Sequence, residues 1–115
     1  MKIFLLIGQS NMEGPGISRY SLEDDDRLKG VYLFNDKDEW EEAKNPLNGY
    51  STVKRNPNPG ISPGVTFVEE IKKVYPNEKI GVVSNARGAT MIAEWQKGEW
   101  CFNEAIKRKI GRAHV

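Results

Sequence analysis

Two of the side chains that most often carry chemistry are nearly missing from this chain: cysteine and histidine occur once each. A single thiol excludes an internal disulfide framework and any cysteine-based metal cluster. Cys101 is expected as a small core residue beside Phe102, because nothing basic and adjacent in sequence would lower its pKa. His114 lies in a terminal stretch and has Gly111, not an aspartate, three residues before it, so it reads as a surface residue. No apolar run reaches the length of a membrane span, and the one at the N-terminus has neither a basic leader nor a small-residue cleavage site. No membrane partner is therefore expected. As written the chain reads as cytoplasmic, or as a secreted or periplasmic protein after removal of a signal peptide.

Charge of one sign is also lacking. The net charge is +1, without the basic face that a nucleic-acid binder normally shows. The cluster Lys107, Arg108, Lys109 and Arg112 reads as the solvated end of a helix, where positive charge opposes the negative end of the dipole. Phosphate-binding loops are absent too. Gly14-x-Gly16 is followed by Arg19 where a dinucleotide fingerprint needs its third glycine, and no Gly-Lys-Ser/Thr ending exists. The acid run Glu23-Asp24-Asp25-Asp26 lacks the alternate spacing and central glycine of a calcium loop, and reads as a solvated turn. No metal and no organic cofactor is implied.

What is present is the composition of a folded domain, with 38% hydrophobic and 29% charged residues over 115 positions. Ile3 to Ile7 form an apolar run closed by Gly8, the pattern of a strand covered on both faces. Val31 to Phe34, bounded by Gly30 and Asn35-Asp36, reads as a second strand and the neighbour of the first. Residues 35–62 change character, with prolines and glycines scattered among polar residues, and read as one long irregular loop that Trp40 pins to the body.

Ser62-Pro63-Gly64 opens a helix, with serine as the cap and proline at the first helical position. Phe67, Val68, Ile71, Val74 and Tyr75 fall on its inner face. Lys79 to Ser84 supply a third strand through Ile80, Val82 and Val83, and the strand-helix-strand order predicts parallel pairing through a right-handed crossover. Phe102, Ile106 and Ile110 then mark a last helix. Polar loops leave the first and third strands at Gln9-Ser10-Asn11 and Asn85-Ala86-Arg87-Gly88. Both lie at the carboxyl edge of the sheet, where open α/β folds bind ligands.

Gly8-Gln9-Ser10-Asn11-Met12-Glu13-Gly14 resembles the first sequence block of the SGNH hydrolases, in the branch holding sialic-acid-type O-acetylesterases and acetylxylan esterases. Ile61-Ser62-Pro63-Gly64-Val65-Thr66-Phe67 resembles the second block. Val82 to Trp95 resembles the strand, Ala-Arg-Gly-Gly loop and tryptophan between the second and third, with Ala89 in place of the second glycine. The resemblance implies a three-layer α/β sandwich with a parallel sheet, SGNH or flavodoxin-like, truncated here to its first three strands with the first central. It covers an N-terminal portion, residues 1–115, of a single such domain.

By the same resemblance Ser10 is the catalytic nucleophile, and the activity is removal of acetyl groups from carbohydrate, with an acetylated sugar as partner. Fixed N–H donors must meet the carbonyl oxygen as it gains charge, and the amides of Ser10 and Gly64 suit that oxyanion hole, Gly64 because it opens a helix. Gln9, Asn11, Arg87 and Gly88 are candidates for the substrate loops. The family's third block and its Asp-x-x-His do not occur here, so the 115-residue chain is expected to be nearly inactive. The alternative is a non-catalytic carbohydrate-binding or assembly module on the same scaffold, with Trp40, Trp95 and Trp100 as stacking surfaces. An exposed sheet edge would also permit a homo-oligomer.

Overall fold

The computed structural model describes residues 1–9, 12, 26–55 and 63–110. Four strands form one sheet in the order β1-β4-β2-β3: β1 (Lys2–Leu6), β2 (Val31–Phe34), β3 (Trp40–Glu42) and β4 (Ile80–Ser84). β4 runs parallel to both of its neighbours, pairing Lys2 with Ile80 on one side and Val31 with Ile80 on the other. β3 lies antiparallel to β2, so the sheet is mixed and four-stranded, in place of the all-parallel, three-stranded sheet expected.

Three further expectations are corrected here. β1 is not central but sits at an edge of the described sheet, and β2 is not its neighbour because β4 lies between them. The reason is burial: every residue of β4 is buried, while β1 is buried only at Leu6. Nor is the stretch 35–62 wholly irregular. It contains β3, formed when the turn Asp36–Glu39 folds Trp40 back over Phe34, and a 3-10 turn at Leu47–Tyr50. Asn35 builds the turn by accepting the amides of Lys37 and Glu39 on its Oδ1, at 2.9 and 3.0 Å.

The two helices are α1 (Gly64–Val74) and α2 (Trp100–Arg108). Ser62, expected as the cap of α1, lies outside the described residues, and Pro63 occupies the cap position without a side-chain bond. Val65 and Val68 carry α1 onto one face of the sheet, against Leu6, Leu28, Leu33, Ile80 and Val82. Phe67 and Val74, expected inside, are 40% and 65% exposed. Phe67 instead meets the ring of Phe4 edge-on at 5.6 Å beside β1.

In α2 the buried positions are Cys101, Ala105 and Arg108, one turn apart, rather than the expected Phe102, Ile106 and Ile110. Small residues at 101 and 105 permit the close approach that lets Arg108 reach the strand ends.

The opposite face of the sheet is built around Phe34 and Val83, with Ile3, Leu5 and Trp40 partly buried against them. Trp40 stacks on Phe34 at 5.2 Å between ring centroids. It can do so because β4 has a glycine beneath it: a Cβ at Gly81 would stand 2.9 Å from the Trp40 ring and 2.6 Å from the Met1 sulfur. Trp40 is thus the anchor of the β3 segment. Because one added methyl overpacks this contact, Gly81→Ala is expected to destabilise the fold by about 1–3 kcal/mol. A lower urea midpoint with unchanged slope is the result that checks it.

Candidate active site

The parallel ladder between β1 and β4 does not stop where the strands do. Asn85 donates its amide to the Leu6 carbonyl at 2.9 Å, and Arg87 donates to the Gly8 carbonyl at 3.0 Å. The two polar loops therefore leave the sheet side by side. Gly8 makes the first turn possible with φ +148°, and a Cβ there would press on Met12 at 3.1 Å. Met12 packs against the cluster that holds Val65 and Val68 of α1, the helix whose first residue, Gly64, is buried.

A pocket of about 300 Å³ opens between these loops, lined by Ile7, Gly8 and Gln9 on one side and by Thr90, Met91, Ile92 and Trp95 on the other. Ser10 and Asn11 lie outside the described residues. Gln9, next to Ser10 in the chain, is exposed at the pocket. A larger cleft of about 640 Å³ opens around the start of β2, at the opposite end of the parallel strands, and none of the predicted site residues lines it.

The loop after β4 is held from three directions. From the 3-10 turn at 47–50, Asn48 is fully buried and clamps Ala86. Its Oδ1 accepts the Ala86 amide at 2.8 Å and the Ser84 hydroxyl at 2.9 Å, while its Nδ2 donates to the Ala86 carbonyl at 3.1 Å. Ser51 Oγ donates to the same carbonyl, and Thr52 donates its amide to Asn85 Oδ1 at 2.9 Å.

From α2, Arg108 is 3% exposed and donates to the carbonyls of Phe34 and Ser84 and to Asn85 Oδ1, at 2.8–3.0 Å. Its guanidinium also lies over the Phe34 ring. This overturns the reading of the basic cluster as uniformly solvated. A planar fork with several donors is the group suited to satisfy two strand-end carbonyls at once.

The third hold is reciprocal. Arg87 Nη1 donates to the Val53 carbonyl, and Arg55 Nε donates to the Gly88 carbonyl, each at 2.7 Å. Arg87 further stacks on Trp100 at 5.0 Å. Thr90 closes the loop on itself by donating to the Arg87 carbonyl, and Trp95 Nε1 donates to Thr90 Oγ1 at 3.1 Å. Beneath lies buried Cys101, whose thiol burial pushes above its ordinary pKa despite the opposing charges of Arg87 and Arg55. Among the described residues no group of three or more His, Cys, Asp or Glu could hold a metal.

No sequence motif marks Asn48, Arg55, Thr90 or Arg108 as site residues. Asn48-Gly49 carries the signal of a turn, and nothing local distinguishes an asparagine that caps a turn from one that clamps a distant loop.

Ala89 adopts φ +57°, the left-handed conformation in which an L side chain costs about 1–2 kcal/mol. Ala89→Gly is therefore expected to raise stability by about 1 kcal/mol, read as an increased urea midpoint; an unchanged or lower midpoint would contradict the strain. Arg108→Met strands two buried carbonyls and is expected to cost about 2–4 kcal/mol. Arg108→Lys should recover only part of the loss, since an ammonium cannot span both partners; full recovery would mean that charge alone matters there.

Comparison with known proteins identifies the family. Residues 1–113 match the family described as carbohydrate esterase, sialic acid-specific acetylesterase. A probable carbohydrate esterase of Arabidopsis thaliana is 28% identical over 121 residues, covering 93% of this chain and 46% of the relative. The 1.6 Å X-ray structure of the protein of that same Arabidopsis name superimposes with a TM-score of 0.75 at 27% identity, over 94% of this chain and 49% of the other. The chain thus spans about half the length of the relatives it matches. With the first motif, the helix after Pro63 and the loop after β4 all inside the matched region, this chain belongs to the sialic acid-specific acetylesterase family of carbohydrate esterases, as an N-terminal portion of its domain.

Proposed function

We propose that this chain supplies the nucleophile and part of the oxyanion hole of a serine carbohydrate O-acetylesterase built as a three-layer sandwich. The observation that carries the reading is the backbone bond from Arg87 to Gly8, which sets the loop leading to Ser10 against the loop after β4 across an apolar-walled pocket. Ile7, Met91, Ile92 and Trp95 give that pocket the character needed for an acetyl methyl group, with Gln9 at its polar side. In the reaction the Ser10 hydroxyl adds to the acetyl carbonyl, and the amides of Ser10 and Gly64 receive the oxyanion. The sugar hydroxyl then leaves, and water hydrolyses the acyl-enzyme. The serine proton needs a base held by a third group, the part played in this family by an Asp-x-x-His segment. Arg87 and Gly88 serve the loop that faces the substrate, since the Arg87 guanidinium and the Gly88 carbonyl are engaged in the clasp to residues 53–55.

A half-exposed Trp100, with Arg87 stacked on its ring, favours a second reading as a carbohydrate-binding module. A sugar-dependent change in tryptophan fluorescence that Trp100→Ala removes would support it, and silence toward a broad panel of acetylated and free sugars would count against it.

The esterase reading is tested with 4-nitrophenyl acetate and an O-acetylated sugar. The 115-residue chain is expected to turn over neither faster than its Ser10→Ala variant. In a polypeptide that also carries the family's Asp-x-x-His segment, Ser10→Ala is expected to lower kcat by at least about 10⁴-fold. Near-normal turnover by that variant would remove Ser10 as the nucleophile.

A further inference from the structure

Past its last residue, β4 stays paired on both flanks, but by different means. The residues facing β1 keep a backbone partner, Asn85 donating to the Leu6 carbonyl and Arg87 to the Gly8 carbonyl. Because a strand alternates, Ser84 and Ala86 turn their backbone groups the other way, toward β2. The ladder between β2 and β4 reaches only Leu33 opposite Val82, so side chains take over that flank. Arg108 holds the Ser84 carbonyl, and Asn48 holds both the amide and the carbonyl of Ala86.

We propose that Asn48 is a positioning residue for the nucleophile and acts through two backbone steps. It fixes Ala86, the Arg87 amide that follows fixes the Gly8 carbonyl, and Gly8 stands two residues before Ser10. The proposal rests on the reading of Ser10 as the nucleophile and names what holds it.

The rung from Arg87 to Gly8 lies at the end of its ladder, where pairing opens most readily unless the strand that offers it is held from its other flank. Asn48 and Ala86 are both fully buried, so water cannot stand in for the clamp. Gly8, at φ +148°, has no side chain to limit its backbone, and the peptide that follows it is oriented by the bond its carbonyl makes. The demand on residue 48 is specific. It must present an acceptor to the Ala86 amide and a donor to the Ala86 carbonyl, which an amide does and an ionised carboxylate cannot. Ser51 Oγ shares the carbonyl at 3.1 Å, whereas the amide has Asn48 Oδ1 as its acceptor. A nucleophile displaced by about 1 Å loses on the order of 10²-fold in rate, so a clamp two steps away is close enough to matter.

The test compares Asn48→Ala and Asn48→Asp with Gly81→Ala, which destabilises the fold away from the site. In the 115-residue chain, residue-resolved hydrogen exchange is expected to show the Arg87 amide losing at least about tenfold in protection in Asn48→Ala while the Asn85 amide keeps its own. In Gly81→Ala the two amides should change together. In a polypeptide that also carries the Asp-x-x-His segment, Asn48→Ala is expected to lower kcat for 4-nitrophenyl acetate about 10–100-fold with KM within about threefold, and Gly81→Ala to leave kcat unchanged. Asn48→Asp, the milder change, carries the test where Asn48→Ala does not fold. Its carboxylic acid reproduces the acceptor and donor of the amide and its carboxylate has no donor, so its kcat relative to the unsubstituted chain should fall as pH rises through the titration of the buried group.

Four outcomes overturn the proposal: kcat within about threefold of the unsubstituted chain, a loss carried by KM instead, unchanged protection of the Arg87 amide, or a relative kcat of Asn48→Asp that is flat with pH. Failure of the nucleophile reading looks different. Near-normal turnover by Ser10→Ala removes the nucleophile and this proposal with it, whereas turnover lost in Ser10→Ala and kept in Asn48→Ala removes the proposal alone.

Discussion

Asn48 takes the place of a missing neighbour strand at the point where β4 runs out. A backbone leaving a sheet exposes donors and acceptors that must be satisfied when they stay buried. Residues 84–86 stay buried, and the Asn48 amide group meets Ala86 with both an acceptor and a donor, as a flanking strand would. The side-chain clamp lets the chain leave regular structure without losing pairing, and everything downstream inherits its position from it. The loop 87–90, the Thr90–Trp95 bond and the far wall of the pocket all follow from where Ala86 is fixed. Arg108 performs the same service for the ends of β2 and β4 from the other side.

These contacts link segments far apart in the chain. Asn48 and Ala86 are separated by 38 residues, and Arg108 and Phe34 by 74. The carboxyl edge is thus assembled only when the 47–55 segment, β4 and α2 are all in place. Its buried polar groups are nearly all matched, which gives the edge one defined arrangement instead of several. A rigid rim is what an oxyanion hole needs, because donors stabilise charge best when they need not reorganise.

Much of this framework is legible in the residues themselves. Apolar runs mark β1, β2 and β4, the Pro-Gly step marks the start of α1, and three short motifs mark the family and the loops. What periodicity cannot convey is lateral order. The runs Ile3–Ile7 and Ile80–Val83 look equally suited to the centre of a sheet, and only tertiary burial decides that β4 takes it. β3 is three residues long and holds two glutamates, so its composition argues for a loop. It forms because Asn35 tightens the turn and Trp40 finds the hollow over Gly81. The polar clamps are illegible for a related reason: an asparagine or arginine becomes structural through distant carbonyls, and no local pattern announces which carbonyls those are. In α2 the inner stripe is drawn by small residues and an arginine, so hydrophobicity alone points to the wrong face.

The short, charged strand β3 has a meaning beyond closing the far side of the sheet. A sheet with two apolar, unpaired edges is bivalent and can propagate into a fibre, one unit adding to the next. Here one edge carries Glu41 and Glu42 beside Lys44, with Glu41 already engaged by Asn35 and Tyr50, and offers little to a passing strand. An edge occupied in this way terminates the sheet on its own side.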